Sequence, residues 1–170
     1  DTACVIIKHT NPCGLALGST VLEAYERALE ADPISAFGGI IAFNKVVDEE
    51  TAASIRERFY EVVVAPDFSP KAKDILSDKA NLRLFVVGRE ECDTRGWKIK
   101  TVNGGFLIQE EDKGTTPIQE WEVVSDKKPS EEDLAELEFA WKACKHVKSN
   151  AIVISNKRQV IGVGAGQMNR

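Results

Sequence analysis

The sequence predicts a layered α/β domain built on a mixed sheet. Short, continuous apolar runs alternate with stretches of helical spacing through the first half of the chain. Three shorter runs follow, separated by Gly and Thr turns, and read as an antiparallel extension of the sheet or an excursion from it. A long helical stretch and two more strand-like runs come last.

The elements follow in order. Ala3 to Lys8 is an uninterrupted apolar run, the pattern of a strand buried on both faces. His9-Thr-Asn-Pro-Cys-Gly14 reads as a turn-rich loop. Thr20 caps a helix with apolar positions at Val21, Leu22, Ala24, Tyr25, Ala28 and Leu29, and Glu23 completes a capping box. Asp32-Pro33 ends that helix. Gly39 to Phe43 is a second strand, Asp48 opens a helix running to about Phe59, and Glu61 to Ala65 is a third strand. Lys71 to about Ser77 is a short helix, with Lys79 placed at its end, and Leu82 to Val87 is a fourth strand. Trp97 to Val102, Phe106 to Gln109 and Trp121 to Val124 are the three middle strands. Ser130 caps a long helix carrying Leu134, Leu137, Phe139, Ala140, Trp141 and Cys144, and Ala151 to Ile154 and Gln159 to Val163 are the final strands.

The bulk chemistry excludes several classes. The net charge is −5 and Lys and Arg are dispersed, so the basic stripe of a nucleic-acid binder is absent. No apolar run is long enough to span a membrane, and the first residues lack a signal-peptide pattern. Cys4, Cys13, Cys92 and Cys144 form no zinc framework and read as reduced thiols of a cytoplasmic protein. The chain starts at Asp1 without Met and stops at Arg170 straight after a glycine-rich stretch. The expectation is one domain, 1–170, cut from a larger protein.

Three stretches could carry chemistry. Lys8-His9 ends the first strand, where ligands of layered α/β proteins bind. Neutral imidazole accepts a proton, and a neighbouring ammonium favours that form, so the pair suits a general base beside a cation. The plainer reading is a histidine that anchors the loop. In Asp32-Pro-Ile-Ser-Ala-Phe-Gly-Gly39 the glycines permit close backbone approach. Phe37 either stacks on a flat heterocycle or fills the core. In Lys148-Ser-Asn150, the asparagine offers donor and acceptor together, and Arg170 downstream can fork onto an anion. The dinucleotide fingerprint fails at Gln167, where it needs Gly. His146 is placed at the end of the long helix, facing its dipole or solvent, and Glu110 to Asp112 reads as a solvated turn.

These stretches together resemble the AICAR transformylase family. The strings that carry the resemblance are Lys8-His9-Thr-Asn-Pro-Cys-Gly14, Asp32-Pro-Ile-Ser-Ala-Phe-Gly-Gly-Ile-Ile-Ala42, Val64-Ala-Pro66, Lys148-Ser-Asn-Ala-Ile152 and Gly162-Val-Gly-Ala-Gly-Gln-Met-Asn-Arg170. The resemblance implies a cytidine-deaminase-like fold, a mixed sheet between helices. It implies that fold without its metal: Cys13 follows Pro12, but Ala16 stands where a second cysteine ligand belongs, and H-x-E is absent. The implied reaction is transfer of a formyl group from 10-formyltetrahydrofolate to the 5-amino group of AICAR. His9 is then the proton acceptor, Lys8 the transition-state stabiliser and proton relay, and Asn150 the residue that orients the reacting groups. Gly38, Glu61 and Arg170 match nucleotide-binding positions, with Phe37 beside them and Lys79 a candidate for the phosphate. A monovalent cation is compatible with the family, as is a homodimer that completes the site. An upstream Arg-Tyr segment and a second deaminase-like half of the family are absent from this sequence. The alternatives are a non-catalytic nucleotide- or folate-binding relative, which has no need of a base, and a zinc deaminase, which the missing ligands oppose.

Overall fold

The computed structural model of the chain describes residues 1–88, 96–112, 114 and 116–169. Along the chain run β1 (Thr2–Lys8), β2 (Asn11–Gly18), α1 (Val21–Ala31), β3 (Ile40–Phe43), α2 (Glu49–Arg56), β4 (Val62–Ala65) and α3 (Pro70–Ser77). Then come β5 (Arg83–Val86), β6 (Trp97–Val102), β7 (Gly105–Glu110), α4 (Glu131–Cys144), β8 (Ile152–Asn156) and β9 (Gln159–Gly164). Among the described residues, seven strands form one mixed sheet in the order β5-β4-β3-β1-β2-β9-β8. β3, β4 and β5 run parallel to one another, while β1 is antiparallel to both β2 and β3. The expected mixed α/β layering is what the chain adopts.

Alternation along the central strands divides the sheet into two faces. Cys4, Ile6, Ile41, Phe43, Val63 and Ala65 point to one side and pack with Ala24, Tyr25 and Ala28 of α1, Ala52 and Ile55 of α2, and Ala72 and Leu76 of α3. The hydroxyls of Tyr25 and Tyr60 meet at 3.0 Å inside this core, so neither is left unpaired. On the other face, Phe139 and Ala143 of α4 close over Val160, with Leu15, Leu17, Val153 and Val163 packed against them.

Capping chemistry sets the helix starts. The Thr20 hydroxyl accepts from Glu23 N at 3.1 Å. The Glu23 carboxylate reaches back to Ser19 N at 2.7 Å and to the Ser19 hydroxyl, one residue earlier than the expected reciprocal bond to Thr20. Asp48 caps α2, which stops at Arg56 rather than near Phe59. Ser130 and Asp133 form a complete capping box on α4.

Two expectations are corrected. Asn11 to Gly14 is strand and not loop: β2 begins at Asn11, and a two-residue turn joins it to β1. Pro12 and Gly14 suggested a loop, yet each has a strand role. Pro12 falls where the β1–β2 register shifts, so its missing N–H interrupts no regular ladder. Gly14 faces α1, where a Cβ would stand 1.9 Å from the Ala28 carbonyl oxygen. Trp121 to Val124 is likewise no strand; a 3-10 turn, Ile118–Glu120, leads into an irregular segment. Its alternation serves packing instead: the Trp121 ring lies edge-on to Trp141 of α4 at 5.9 Å, and its indole N–H donates to Thr116 O at 3.0 Å. The other two middle strands pair as a separate ribbon, β6–β7, so the middle is an excursion from the sheet. Its apolar side chains Trp97, Ile99, Phe106 and Ile108 are exposed.

Candidate active site

The sheet brings the candidate residues to one edge, though not for the expected reason. Carboxyl ends of parallel strands were to meet there. Instead that edge carries the carboxyl ends of β1 and β9 together with the amino ends of β2, β3, β4, β5 and β8. The mixed directions deliver Lys8 and His9, Gly38 and Gly39, Glu61, Asn150 and the 165–167 segment to the same side of the molecule.

At its centre is a cleft of about 380 Å³ lined by Lys8, His9, Asn11, Cys13, Asp32 and Ser35, with Pro12, Val163 and Ala165. His9 and Thr10 form the turn between β1 and β2, both left-handed, with φ of 52° and 65°. The His9 carbonyl accepts from Thr10 Oγ1 at 2.6 Å and from Asn11 Nδ2 at 3.2 Å. Among the described residues the His9 imidazole has no hydrogen-bond partner, and the side chain is exposed at the cleft rim. Lys8 is the last residue of β1, and its ammonium donates to Phe37 O at 2.6 Å. That bond uses one of three donors.

The opposite wall is the turn after α1. Asp32 Oδ1 accepts from Ser35 N at 2.8 Å. The Ser35 hydroxyl and N–H hold the Asp32 carboxyl below the usual carboxylate range, and the Lys8 ammonium adds to this. Cys13 is half-buried, with its thiol donating to Ile6 O at 3.4 Å. Burial pushes that thiol up, Asp32 pushes it the same way, and Lys8 pulls against both, so a thiolate is disfavoured. Because the Asp32 pKa is depressed in the fold, its contribution to stability is present above the unfolded carboxylate pKa and lost as pH falls through the folded one. Asp32→Asn should therefore lower the unfolding midpoint near neutral pH, and the gap to wild type should close below about pH 4. Urea melts across that range measure it; a gap independent of pH would contradict the assignment.

The remaining candidates do not line this cleft. Phe37 is 64% exposed, which removes the core alternative; Ala36 takes the buried position. Its ring tilts against Phe59 at 5.2 Å between centroids. Gly38 has φ of +68° and its N–H donates to Phe59 O at 2.9 Å, so its N–H is already committed. Glu61 precedes β4 and accepts from Arg83 Nη1 at 3.1 Å across the β4–β5 pair. Arg83 was not singled out from the sequence. Lys79 stands just past the end of α3, next to its C-cap Asp78. It lines a separate hollow of about 220 Å³ with Arg58, Phe59 and Tyr60, its ammonium 3.4 Å from Arg58 O. Asn150 precedes β8, and its carbonyl accepts from Gln167 N at 3.1 Å. Arg170 and Cys92 lie outside the described residues. His146 is exposed past the end of α4, beside an apolar groove between α4 and the sheet that Thr10 and Pro12 also line. No helix among the described residues is long and apolar enough to cross a membrane.

The sequence matches the AICARFT/IMPCHase bienzyme family over residues 1–170. It is 62% identical over 171 residues to the bifunctional purine biosynthesis protein PurH of Desulfitobacterium hafniense, covering all of this chain and 33% of that protein. It is 51% identical over 170 residues to PurH of Petrotoga mobilis, again covering all of this chain and 33% of the relative. The chain thus spans about a third of the length of the relatives it matches. A family match over its whole length, with both relatives identical at more than half of the aligned positions, means that the chain belongs to the AICARFT/IMPCHase bienzyme family.

Proposed function

We propose that this chain acts in purine biosynthesis and carries chemistry residues for formyl transfer from 10-formyltetrahydrofolate to the 5-amino group of AICAR. The observation that supports this most is the pairing of Lys8 and His9 at the rim of one cleft, on the edge where Asn150 also lies. The amine of AICAR is a weak nucleophile, because its lone pair is delocalised into the imidazole carboxamide. As it attacks, the new C–N bond forms, the formyl oxygen gains negative charge and the nitrogen must lose a proton. The unpartnered imidazole of His9 takes that proton. The Lys8 ammonium, which among the described residues donates only to Phe37 O, stabilises the oxyanion through its other donors. Collapse breaks the bond from the formyl carbon to N10 of the folate. N10 then receives a proton, relayed through Lys8 from His9, so that both residues return to their starting states.

Asn150 orients the reacting groups, with Gly38, Glu61, Phe37 and Arg170 as nucleotide contacts. In this reading the protein works as a homodimer in the cytoplasm, and its chemistry needs no zinc. The test is single-turnover formyl transfer by the intact protein of which this chain is part. Formylated AICAR and tetrahydrofolate should appear in equal amounts. Tight binding of AICAR with no transfer would instead make the protein a binding relative.

A further inference from the structure

The turn that carries His9 is built from residues poorly suited to it. Two-residue hairpin turns with both φ positive favour Asn-Gly, whereas here they are His9 and the β-branched Thr10, at 52° and 65°. Lys157 and Arg158 in the β8–β9 turn share this conformation, at 51° and 56°, so what distinguishes the His9 turn is the side chain that ties it to a distant segment. The Thr10 hydroxyl holds the turn from within, and Asn11 ties it to the rest of the fold. Its Nδ2 donates to His9 O at 3.2 Å, while its Oδ1 accepts from Lys148 N at 3.1 Å, 137 residues further along. Lys148 O in turn accepts from Gly166 N at 2.7 Å, and Asn150 O from Gln167 N at 3.1 Å. One carboxamide thus spends a donor on the turn of the base and an acceptor on the segment of Asn150.

The fold has little need of this link. β1 and β2 are already paired along their length, from Thr2 opposite Gly18 to Lys8 opposite Asn11. The 148–150 segment is already bonded to 166–167. What Asn11 adds is a fixed relation between two segments far apart in sequence. We propose that Asn11 is a positioning residue, whose side chain ties the His9 turn to the 148–150 segment and so sets His9 and Asn150 in one register for the substrate. This rests on the formyl-transfer reading of those two residues.

The test uses the intact protein and steady-state kinetics with AICAR. Asn11→Ala should lower kcat about 10- to 100-fold, as displacement of reacting groups does, with KM and the thermal unfolding midpoint close to wild type. Asn11→Asp keeps an acceptor for Lys148 N but loses the donor to His9 O, and should also lower kcat by about tenfold or more; it decides the matter if the alanine variant folds poorly. In an Asn150→Ala background, Asn11→Ala should cost less than about threefold more, because the group it positions is already gone. The proposal is overturned if Asn11→Asp turns over within about threefold of wild type. It is also overturned if the Asn11→Ala loss is undiminished in the Asn150→Ala background. Wild-type turnover by His9→Ala and Asn150→Ala would sink the underlying reading. Crippled turnover in those two variants, with both Asn11 variants at wild-type rates, would sink the positioning role alone.

Discussion

Replacing His9 with alanine in the intact protein should lower turnover about 10²–10⁴-fold while AICAR affinity stays within a few-fold, the signature of a lost general base. The pH–rate profile should also lose its acidic limb. The structure sharpens this expectation against the plainer reading of a loop-anchoring histidine. The His9 turn is held through its main-chain carbonyl, by Thr10 Oγ1 and Asn11 Nδ2, and an alanine at position 9 keeps that carbonyl. The ring itself has no hydrogen-bond partner among the described residues and is exposed. Its removal should therefore leave the unfolding midpoint almost unchanged. A loop-anchoring role requires stability and binding to fall together. Turnover within about threefold of wild type defeats the base assignment.

Much of the architecture was legible because burial writes itself into periodicity. Ala3 to Lys8 reads as apolar throughout because Cys4 and Ile6 face α1 while Val5 and Ile7 face the α4 side. Helix starts were legible through Thr20, Asp48 and Ser130, whose side chains each accept from the backbone three residues on. β2 was not legible, because its Pro and Gly answer to a bulge and a close helix, both of them tertiary facts. Trp121 to Val124 failed for the converse reason: strand-like alternation with no strand beside it, spent on packing against α4.

The candidate site shows the same limit. Lys8, His9 and Asn150 could be named as candidates from their places beside apolar strands, and their roles only from the resemblance to the transformylase family. Asn11 and Asp32 stood inside those motifs, but nothing local distinguishes a side chain that bonds its own turn from one that bonds residue 148. The end of α3 at Ser77, with Lys79 just past its cap, was legible from the sequence. The shared edge was anticipated with the wrong strand directions, since an antiparallel β1–β2 hairpin at the sheet centre reverses which strand ends meet.

That hairpin also bears the largest expected loss of stability. Gly14→Ala should destabilise the protein by about 3 kcal/mol or more, the upper end of overpacking costs, which corresponds to roughly 10 °C in the unfolding midpoint. The added Cβ would stand 1.9 Å from Ala28 O and 2.9 Å from Ala28 C, both backbone atoms that no rotamer change can move aside. α1 lies this close along its length, for a Cβ at Gly18 would come within 2.5 Å of Ala24 N. Relief requires lifting α1 from β2. Yet α1 is pinned there by Arg27, which donates to Leu17 O and Lys157 O, and by Gln159 Nε2, which donates to Arg27 O at 2.8 Å. Gly105→Ala is the control: a Cβ there meets nothing within 4 Å, and the change should stay within about 0.5 kcal/mol. Differential scanning calorimetry of the two variants separates crowding from any general cost of replacing glycine in a strand. Equal shifts would show that α1 does not rest on the β2 backbone. The same displacement carries a functional cost, because α1 ends at Asp32, on the wall of the cleft that faces Lys8 and His9. Lifting the helix widens that cleft, so under the proposed formyl-transfer function Gly14→Ala in the intact protein should raise KM for AICAR even at temperatures where the variant remains folded.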